Sequence, residues 1–311
     1  MNPSARPAPC AAIPEPPTRW TVVEALRWAT TALAASGSET PRLDAELLLG
    51  HVLSLDRPAM YRHLEDRLAD GDRERYCSLV QRRLAHEPIA YILGWRAFYD
   101  IELWVDRRAL IPRPETEHLV EEALRWAHAT SLAHPRLADV GTGSGALAIV
   151  LARHLPGARV WAVDISWEAL QVAARNVRRW GLEGHILLLQ GDLMAAIGMP
   201  CDLIVANLPY VPAERLPTLP ADVADYEPRI ALDGGKQGLA CIERLLAQAP
   251  LCLARPGLLL LEVDDSHAHT VASLAGERLP EADIRVLADL AGLARVVRIE
   301  MPPTRGPELP L

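Results

Sequence analysis

The apolar residues between residues 19 and 89 recur at the three- and four-residue spacing that helices favour. Val22 and Leu26 begin the first such pattern, a second begins at Leu43, and a third extends over Arg73–Leu84. The apolar pattern therefore predicts a small domain of four or five helices in this part of the chain.

The pattern changes to short β-type segments over residues 90–112, for example at Leu103-Trp104-Val105. These segments predict a β-hairpin that links the helical domain to the rest of the chain. Pro112 and Pro114 then interrupt regular structure, and a helix is predicted to follow over His118–His128.

Apolar strands alternate with amphipathic helices over residues 113–301. The alternation predicts a parallel sheet with helices on both faces, which is a doubly wound α/β fold. In such folds the functional residues lie at the carboxyl ends of the strands. We predict strands at Leu137–Val140, Arg159–Asp164, Ile186–Leu189, Asp202–Ala206, Leu258–Val263, Ile284–Leu287 and Arg295–Ile299.

A glycine-rich turn, Gly141-Thr142-Gly143-Ser144-Gly145, joins the first of these strands to an apolar helix. Glycines let a ligand approach the backbone closely, and the start of a helix presents free N–H groups. Asp164 ends the next strand. Its spacing along the sequence from the glycine turn is about that at which an acidic residue accepts hydrogen bonds from ribose hydroxyls in nucleotide-binding folds. Asp192 and Leu193 follow the third strand, and we expect them near the base of the same ligand. The sequence thus predicts an adenosine-like ligand at this edge of the sheet.

The identity of that ligand is narrowed by what the glycine turn lacks. The pattern is G-x-G-x-G rather than the dinucleotide pattern G-x-G-x-x-G, and the single lysine, Lys236, is not part of a P-loop. S-adenosylmethionine, an adenosine ligand without phosphates, is therefore favoured, with its amino-acid part over the turn. Asp139 could meet its ammonium group, and the alternative role for Asp139 is a strand-end cap. A nicotinamide-dependent dehydrogenase and a sheet without a ligand are the other interpretations.

A second chemical signal follows the predicted strand Asp202–Ala206, where the chain reads Asn207-Leu208-Pro209-Tyr210. The Asn207 side-chain oxygen and the Leu208 carbonyl can each accept one N–H of a planar NH2 group, while the Tyr210 ring stacks on its plane. Pro209 would stiffen the loop. Such a clamp orients a nitrogen with a delocalised lone pair for reaction. Because Asn and Pro also favour ordinary turns, a strand end followed by a turn is the alternative.

The chain from Trp20 to Ile299 resembles the release-factor glutamine methyltransferases of bacteria. The resemblance implies an S-adenosylmethionine-dependent enzyme that methylates N5 of the glutamine in the Gly-Gly-Gln motif of peptide-chain release factors. It also implies an antiparallel edge hairpin and a helical domain that binds the protein substrate, although this domain could serve stability alone. Besides the glycine turn and the tetrapeptide, the resemblance rests on Asp44–Leu49, Glu87–Gly94, Leu110–Glu117 and Tyr226–Leu232.

Two positions depart from the family pattern. Leu208 stands where the family often has proline, and leucine keeps the carbonyl that the clamp needs. Val263-Asp264-Asp265 stands where the family usually has a glycine, which puts any contact of that loop in doubt. The resemblance also places Arg113 beside the cofactor, and an ion pair with a nearby acid is the alternative role for Arg113.

Charge and composition restrict the function further. The net charge of −8 argues against binding to a nucleic-acid backbone and permits a basic protein partner. The five cysteines are scattered, and His267-x-His269 has no third ligand nearby, so no metal site is expected. The apolar runs are strand-sized, which predicts a cytoplasmic enzyme without a membrane span. Residues 1–18, with six prolines, are predicted to be a disordered tail, and residues 302–311 a second tail.

Three other functions remain open from the sequence. A ribosomal-protein glutamine methyltransferase would share most of these motifs. An adenine-N6 methyltransferase of RNA or DNA could use a similar tetrapeptide, although the acidic charge and the Ile111–Glu117 segment argue against it. A non-catalytic adaptor would be expected to lose the glycine turn, Asp164 or Asn207 first.

Overall fold

The computed structural model describes residues 16–17, 19–289 and 291–303. Most of the two predicted tails, residues 1–15, 18 and 304–311, lies outside the described residues. The chain divides into two compact units, a helical unit that ends at Leu93 and a sheet unit that begins at Gly94.

The described part of the helical unit contains five helices, which confirms the predicted helical domain. The first begins with a capping box, in which the Glu24 N–H donates to the Thr21 hydroxyl and the Thr21 N–H donates to the Glu24 carboxylate. The helices are α1 (Val22–Ala35), α2 (Pro41–Leu53), α3 (Arg57–Arg62), α4 (Asp70–Leu84) and α5 (Ile89–Leu93).

The prediction of β-type structure from residue 90 is wrong for residues 90–93, which belong to α5. The carbonyl of Pro88 accepts hydrogen bonds from the backbone N–H groups of Tyr91 and Ile92 at 3.0 and 3.1 Å. Proline suits the start of a helix because the first N–H groups have no partner inside the helix. The all-apolar run of residues 89–93 has no polar face that would reveal the helical period.

A buried carboxylate connects α2 with α3 in the helical unit. Glu46 is 1% exposed and accepts hydrogen bonds from Arg42, Tyr61 and Arg57 at 2.5, 2.6 and 2.7 Å. A buried carboxylate without such partners would be strongly destabilising. These partners explain why Glu46 occurs among the apolar residues of the segment Asp44–Leu49.

The elements of the sheet unit are as follows. The strands are β1 (Trp95–Phe98), β2 (Ile101–Trp104), β3 (Arg136–Val140), β4 (Arg159–Asp164), β5 (Ile186–Gln190), β6 (Cys201–Ala206), β7 (Leu253–Glu262), β8 (Asp283–Ala288) and β9 (Ala294–Met301). The helices are α6 (Glu117–Thr130), α7 (Ala146–His154), α8 (Trp167–Arg179), α9 (Ala221–Ala224), α10 (Ala240–Cys252) and α11 (Ala268–Arg278). Within the described ranges, no helix of either unit has both the length and the apolar character that a membrane crossing requires.

Strands β3 to β9 form one seven-stranded sheet in the order β5-β4-β3-β6-β7-β9-β8. The strands from β5 to β7 are parallel to one another, and β9 is antiparallel to both β7 and β8. This topology confirms the doubly wound sheet and its antiparallel edge hairpin. The carboxyl ends of β3, β4, β5 and β6 therefore lie side by side at one edge of the sheet.

Strand β7 begins at Leu253, five residues before the predicted start at Leu258. Leu253 pairs with Cys201, and the register shifts before Leu203 pairs with Leu258. Because Arg255-Pro256 interrupts the apolar run, the sequence pattern did not reveal the first part of this strand.

The hairpin β1–β2 packs on α8 within the sheet unit. The Trp104 backbone N–H donates to Asn176 Oδ1 at 2.7 Å, and Asn176 Nδ2 donates to the Trp104 carbonyl at 2.9 Å. Asn176 Nδ2 also donates to the Ser144 carbonyl at 2.9 Å. One buried amide thus connects the hairpin, α8 and the glycine turn.

Candidate active site

A cavity of about 510 Å3 lies at the carboxyl ends of strands β3 to β6. Eight of the residues predicted for the site line it, and five do not. The lining residues are Gly141, Gly143, Asp164, Asp192, Leu193, Asn207, Leu208 and Pro209. The predicted residues outside the lining are Asp139, Thr142, Ser144, Gly145 and Tyr210.

The glycine turn requires glycine at its first and last positions. Gly141 has φ +76° and Gly145 has φ +84°, in the left-handed region where a side chain is strained. A Cβ on Gly141 would lie 3.2 Å from Leu208 Cδ2, so the turn and the predicted clamp are in close contact. A Cβ on Gly145 would lie 3.4 Å from the Ala173 Cβ of α8. These close approaches fix the turn between β3, α8 and the tetrapeptide.

Asp139 lies beneath the turn and is 1% exposed. Its Oδ2 accepts hydrogen bonds from the Thr142 hydroxyl at 2.6 Å and from the Ala148 backbone N–H at 3.0 Å. Burial raises the pKa of Asp139 to about 6, and these two donors oppose the rise. In this arrangement Asp139 caps the turn and the first residues of α7.

Asp164 is held by the backbone with its carboxylate on the cavity wall. Oδ2 accepts the Gly143 N–H and Oδ1 accepts the Ser166 N–H, both at 2.9 Å. Burial raises the pKa of Asp164, while these N–H groups favour its ionised form. Each carboxylate oxygen can accept more than one hydrogen bond, so lone pairs remain for a ligand in the cavity.

Asp192 forms an ion pair with Arg244 of α10, and both residues line the cavity. Leu193 has φ +54°, which turns the chain sharply after Asp192. Ile165 and Ile230 add apolar wall and are 53% and 55% exposed. Sequence reasoning missed Arg244, Ile165 and Ile230, although Ile165 directly follows the predicted ribose acid and Ile230 lies in the family-like segment Tyr226–Leu232.

Asn207 is the first residue after β6 and has a partner that the sequence did not reveal. Its Nδ2 donates to Thr116 Oγ1 at 3.0 Å, and Thr116 Oγ1 donates to Glu262 Oε2 at 2.6 Å. Burial raises the pKa of Glu262 to about 7. Signals for both partners exist, since Thr116 lies in the family-like segment Leu110–Glu117 and Glu262 is a carboxylate at the end of an apolar strand.

The other residues of the tetrapeptide contact the hydrophobic core or the cavity. The Leu208 side chain is buried in the core beside β3 and β6, while Pro209 lies on the cavity wall. Tyr210 packs against the same core, and burial raises the pKa of its phenol. The tyrosine hydroxyl is therefore protonated at neutral pH.

A glycine-rich segment, Gly234–Gly238, supports the tetrapeptide from behind. The Gly234 N–H donates to the Val211 carbonyl at 2.9 Å. A Cβ on Gly234 would lie 2.7 Å from the Pro209 carbonyl oxygen, and one on Gly238 would lie 2.3 Å from the Tyr210 carbonyl oxygen. Only residues without a side chain can approach the loop this closely.

Arg113 and Asp264, whose roles the sequence left open, both have structural partners. Arg113 forms an ion pair of 2.5 Å with Glu227, which is buried, and Arg113 does not line the cavity. Burial raises the pKa of Glu227, and Arg113 opposes that rise. Asp264, in the segment that departs from the family pattern, accepts the Ser266 N–H at 3.1 Å and begins the turn that leads into α11.

Comparison with known proteins gives consistent matches over both units. A family model described as the PrmC N-terminal domain matches residues 24–94, and one described as the methyltransferase small domain matches residues 122–218. The release factor glutamine methyltransferase of Moorella thermoacetica is 44% identical over 276 residues, which is 88% of this chain and 96% of that protein. The protein of the same name from Chlorobaculum tepidum is 40% identical over 284 residues, which is 89% of this chain and 96% of that protein.

A solved structure shows the same fold at low identity. The hMettl16 catalytic domain superposes with a TM-score of 0.50 and 15% identity, over 66% of this chain and 77% of that chain. At this identity the likeness concerns the methyltransferase fold alone.

Proposed function

Because the chain belongs to the release factor glutamine methyltransferase family, we propose that its cavity presents S-adenosylmethionine to a glutamine side chain held by residues Asn207–Tyr210. The enzyme is an S-adenosylmethionine-dependent protein-glutamine N5-methyltransferase. The observation that carries the proposed site is the close contact between the glycine turn and the tetrapeptide, with Gly141, Leu208 and Asp164 around one cavity.

The residues around the cavity fit the cofactor. Asp164 has free lone pairs that would accept ribose hydroxyls, and Asp192 and Leu193 line the same cavity and would contact the adenine. The turn contributes Gly141 and Gly143 to the cavity wall, so it offers no side chain that would block the amino-acid part. When bound, S-adenosylmethionine supplies a methyl group made electrophilic by the positive sulfonium. Asp139 would not contact the cofactor itself but would hold the glycine turn in place through its hydrogen bond from the Thr142 hydroxyl.

The tetrapeptide would orient the substrate amide. Asn207 Oδ1 and the Leu208 carbonyl would accept its two N–H groups, and the Tyr210 ring would cover the planar carboxamide. These contacts fix the nitrogen relative to the cofactor, which is a positioning effect. Because the tetrapeptide contains no general base, the second N–H proton would leave to solvent after attack.

The substrate is proposed to be the glutamine of the Gly-Gly-Gln motif in peptide-chain release factors, in the cytoplasm. The relatives' names support the release factor, and the net charge of −8 suits a basic protein partner rather than a nucleic acid. The test is to incubate the enzyme with labelled S-adenosylmethionine and, separately, a release factor, a ribosomal protein fraction and ribosomal RNA. Label on the motif's glutamine is expected, and label only in a ribosomal sample would overturn the assignment.

Asp164→Ala is expected to weaken S-adenosylmethionine binding by about 1.5–3 kcal/mol for each lost hydrogen bond to the carboxylate. Asp164→Asn should also weaken binding, because its NH2 group would face the N–H of Gly143 or Ser166 that now donates to the carboxylate. Titration calorimetry on the folded variants measures both affinities. If Asp164→Ala binds the cofactor as the parent does, Asp164 does not belong to the site.

We propose that the helical unit recognises the release factor. Deleting residues 1–93 is expected to lower the methylation rate of the intact factor by about tenfold or more, since tenfold corresponds to only about 1.4 kcal/mol of recognition energy. Cofactor affinity and the methylation of a short Gly-Gly-Gln peptide should be retained. Calorimetry and initial rates on both substrates make the comparison, and equal losses on peptide and intact factor would indicate a purely structural unit.

A further inference from the structure

The amide of Asn207 is the end of a chain of buried hydrogen bonds. Asn207 Nδ2 donates to Thr116 Oγ1 at 3.0 Å, and Thr116 donates in turn to Glu262 Oε2 at 2.6 Å. Thr116 and Glu262 are 5% and 2% exposed, so water does not compete freely for these groups. We propose that Thr116 and Glu262 are positioning residues that hold the Asn207 amide with Oδ1 directed towards the substrate. This inference rests on the proposed role of Asn207.

The direction of the Asn207 amide follows from counting donors and acceptors. An ionised carboxylate can only accept, so Glu262 takes the single hydroxyl proton of Thr116. Thr116 Oγ1 then has only lone pairs left, and the NH2 group of Asn207 is the partner that satisfies them. A rotated amide would place Oδ1 against this oxygen with no proton between the two acceptors. The carboxylate thus fixes which end of the Asn207 amide is free to accept a substrate N–H.

This relay depends on the ionisation of Glu262. A protonated Glu262 could donate to Thr116, which would release the hydroxyl proton for Asn207 Oδ1 and let the amide rotate. Burial raises the pKa of Glu262 to about 7, while the Thr116 hydroxyl opposes that rise. The charged or titratable groups that act on Glu262 are Arg295 of β9, Glu115 and Arg113 before α6, and Tyr210 of the tetrapeptide.

The first test replaces the Thr116 hydroxyl without changing the volume of the side chain. Thr116→Val is expected to slow single-turnover methyl transfer to a release factor on the order of 10- to 100-fold, because the amide loses its orientation. Thr116→Ser keeps the hydroxyl that accepts from Asn207 and donates to Glu262, so its rate should stay within about threefold of the parent rate. Cofactor affinity by calorimetry should be the same for parent and both variants.

A matched control separates positioning from stability. The Thr30 hydroxyl is buried in the helical unit without a hydrogen-bond partner among the described residues. Thr30→Val therefore makes the same chemical change outside the sheet unit and should leave methyl transfer to a short Gly-Gly-Gln peptide unchanged. The proposal is wrong if the Thr116→Val variant folds, binds the cofactor and transfers methyl groups at the parent rate.

The second test uses pH. The parent's single-turnover rate should rise as the pH increases through about 7, because Glu262 becomes ionised over that range. Glu262→Gln carries no charge at any pH and can donate to Thr116, so its rate should be lower at high pH and should lack the rise. An unchanged pH profile in Glu262→Gln would contradict the relay.

Failure of the relay and failure of the clamp give different results. If Asn207→Ala is slow and Thr116→Val is fast, the clamp stands and the relay is wrong. If both variants transfer at the parent rate, the proposed function of the tetrapeptide is wrong as well. If the relay acts through Asn207, the double variant Asn207→Ala/Thr116→Val should be no slower than Asn207→Ala alone.

Discussion

Asn207→Ala is expected to lower the single-turnover rate of methyl transfer to a release factor by about 100-fold or more. The variant removes the side-chain acceptor and leaves the Leu208 carbonyl and the Tyr210 ring in place. The substrate amide would keep one hydrogen bond and could turn away from the methyl group. A displacement near 1 Å alone can cost on the order of 100-fold in rate.

Cofactor binding provides the internal control for this result. Asn207 lies on the wall of the same cavity as Asp164, but the ribose acid is held by Gly143 and Ser166 and does not depend on Asn207. Calorimetry should therefore show a smaller change in cofactor affinity than in rate. Methyl transfer by Asn207→Ala near the parent rate would show that the amide clamp is wrong.

Asn207→Asp tests the orientation of the amide more sharply. The variant keeps an acceptor of similar shape but replaces the NH2 group that donates to Thr116 with a second acceptor. Thr116 has one hydroxyl proton and two carboxylates would then compete for it, which adds a charge repulsion with Glu262. We expect a loss comparable to that of Asn207→Ala. A variant with nearly full activity would show that the Thr116 contact does not matter.

The sequence was sufficient to place the residues at the ends of the strands. Apolar periodicity located β3, β4, β5 and β6, and the rule that ligands bind at carboxyl ends then placed Gly141, Asp164 and Asn207 at one edge of the sheet. These assignments depend on local pattern and on a general property of parallel sheets. They therefore did not require knowledge of how distant segments pack.

The partners that the sequence did not reveal are joined by contacts between distant segments. Thr116 and Asn207 are 91 residues apart, and Thr116 and Glu262 are 146 residues apart. No periodicity relates such positions, and hydrogen bonds between side chains depend on the exact packing of α6, β6 and β7. The role of Gly234 and Gly238 was hidden for the same reason, since a close backbone approach becomes visible only once the tetrapeptide loop is placed.

Three poorly solvated carboxylates near the carboxyl ends of strands in this sheet share an electrostatic consequence. Asp139 is the last residue but one of β3, Asp164 and Glu262 end β4 and β7, and burial raises the pKa of each carboxyl group. In their ionised forms these acids give this end of the sheet a negative potential that favours a positively charged ligand, although burial itself favours their neutral forms. Such a potential complements the sulfonium and ammonium groups of S-adenosylmethionine.

Gly238→Ala is expected to damage the tetrapeptide loop without touching any residue of the cavity wall. Gly238 has φ +75°, and an added Cβ would lie 2.3 Å from the Tyr210 carbonyl oxygen and 2.8 Å from His267 Cε1. The left-handed backbone alone costs about 1–2 kcal/mol with a side chain. The contact with Tyr210 must in addition push the loop away, because a carbonyl oxygen of the backbone cannot move independently of the chain.

We expect the free energy of unfolding of Gly238→Ala to fall by about 2–4 kcal/mol and the transfer rate by about 100-fold. Gly181→Ala is the matched control, since Gly181 has φ +66° and nothing lies within 4 Å of its added Cβ. It carries the backbone strain alone, so it should lose about 1–2 kcal/mol of stability and keep its rate. Denaturant unfolding and single-turnover rates compare the two variants. Since strain is common to both, only displacement of the loop can slow Gly238→Ala relative to Gly181→Ala, and equal rates would show that Gly238 does not support the tetrapeptide.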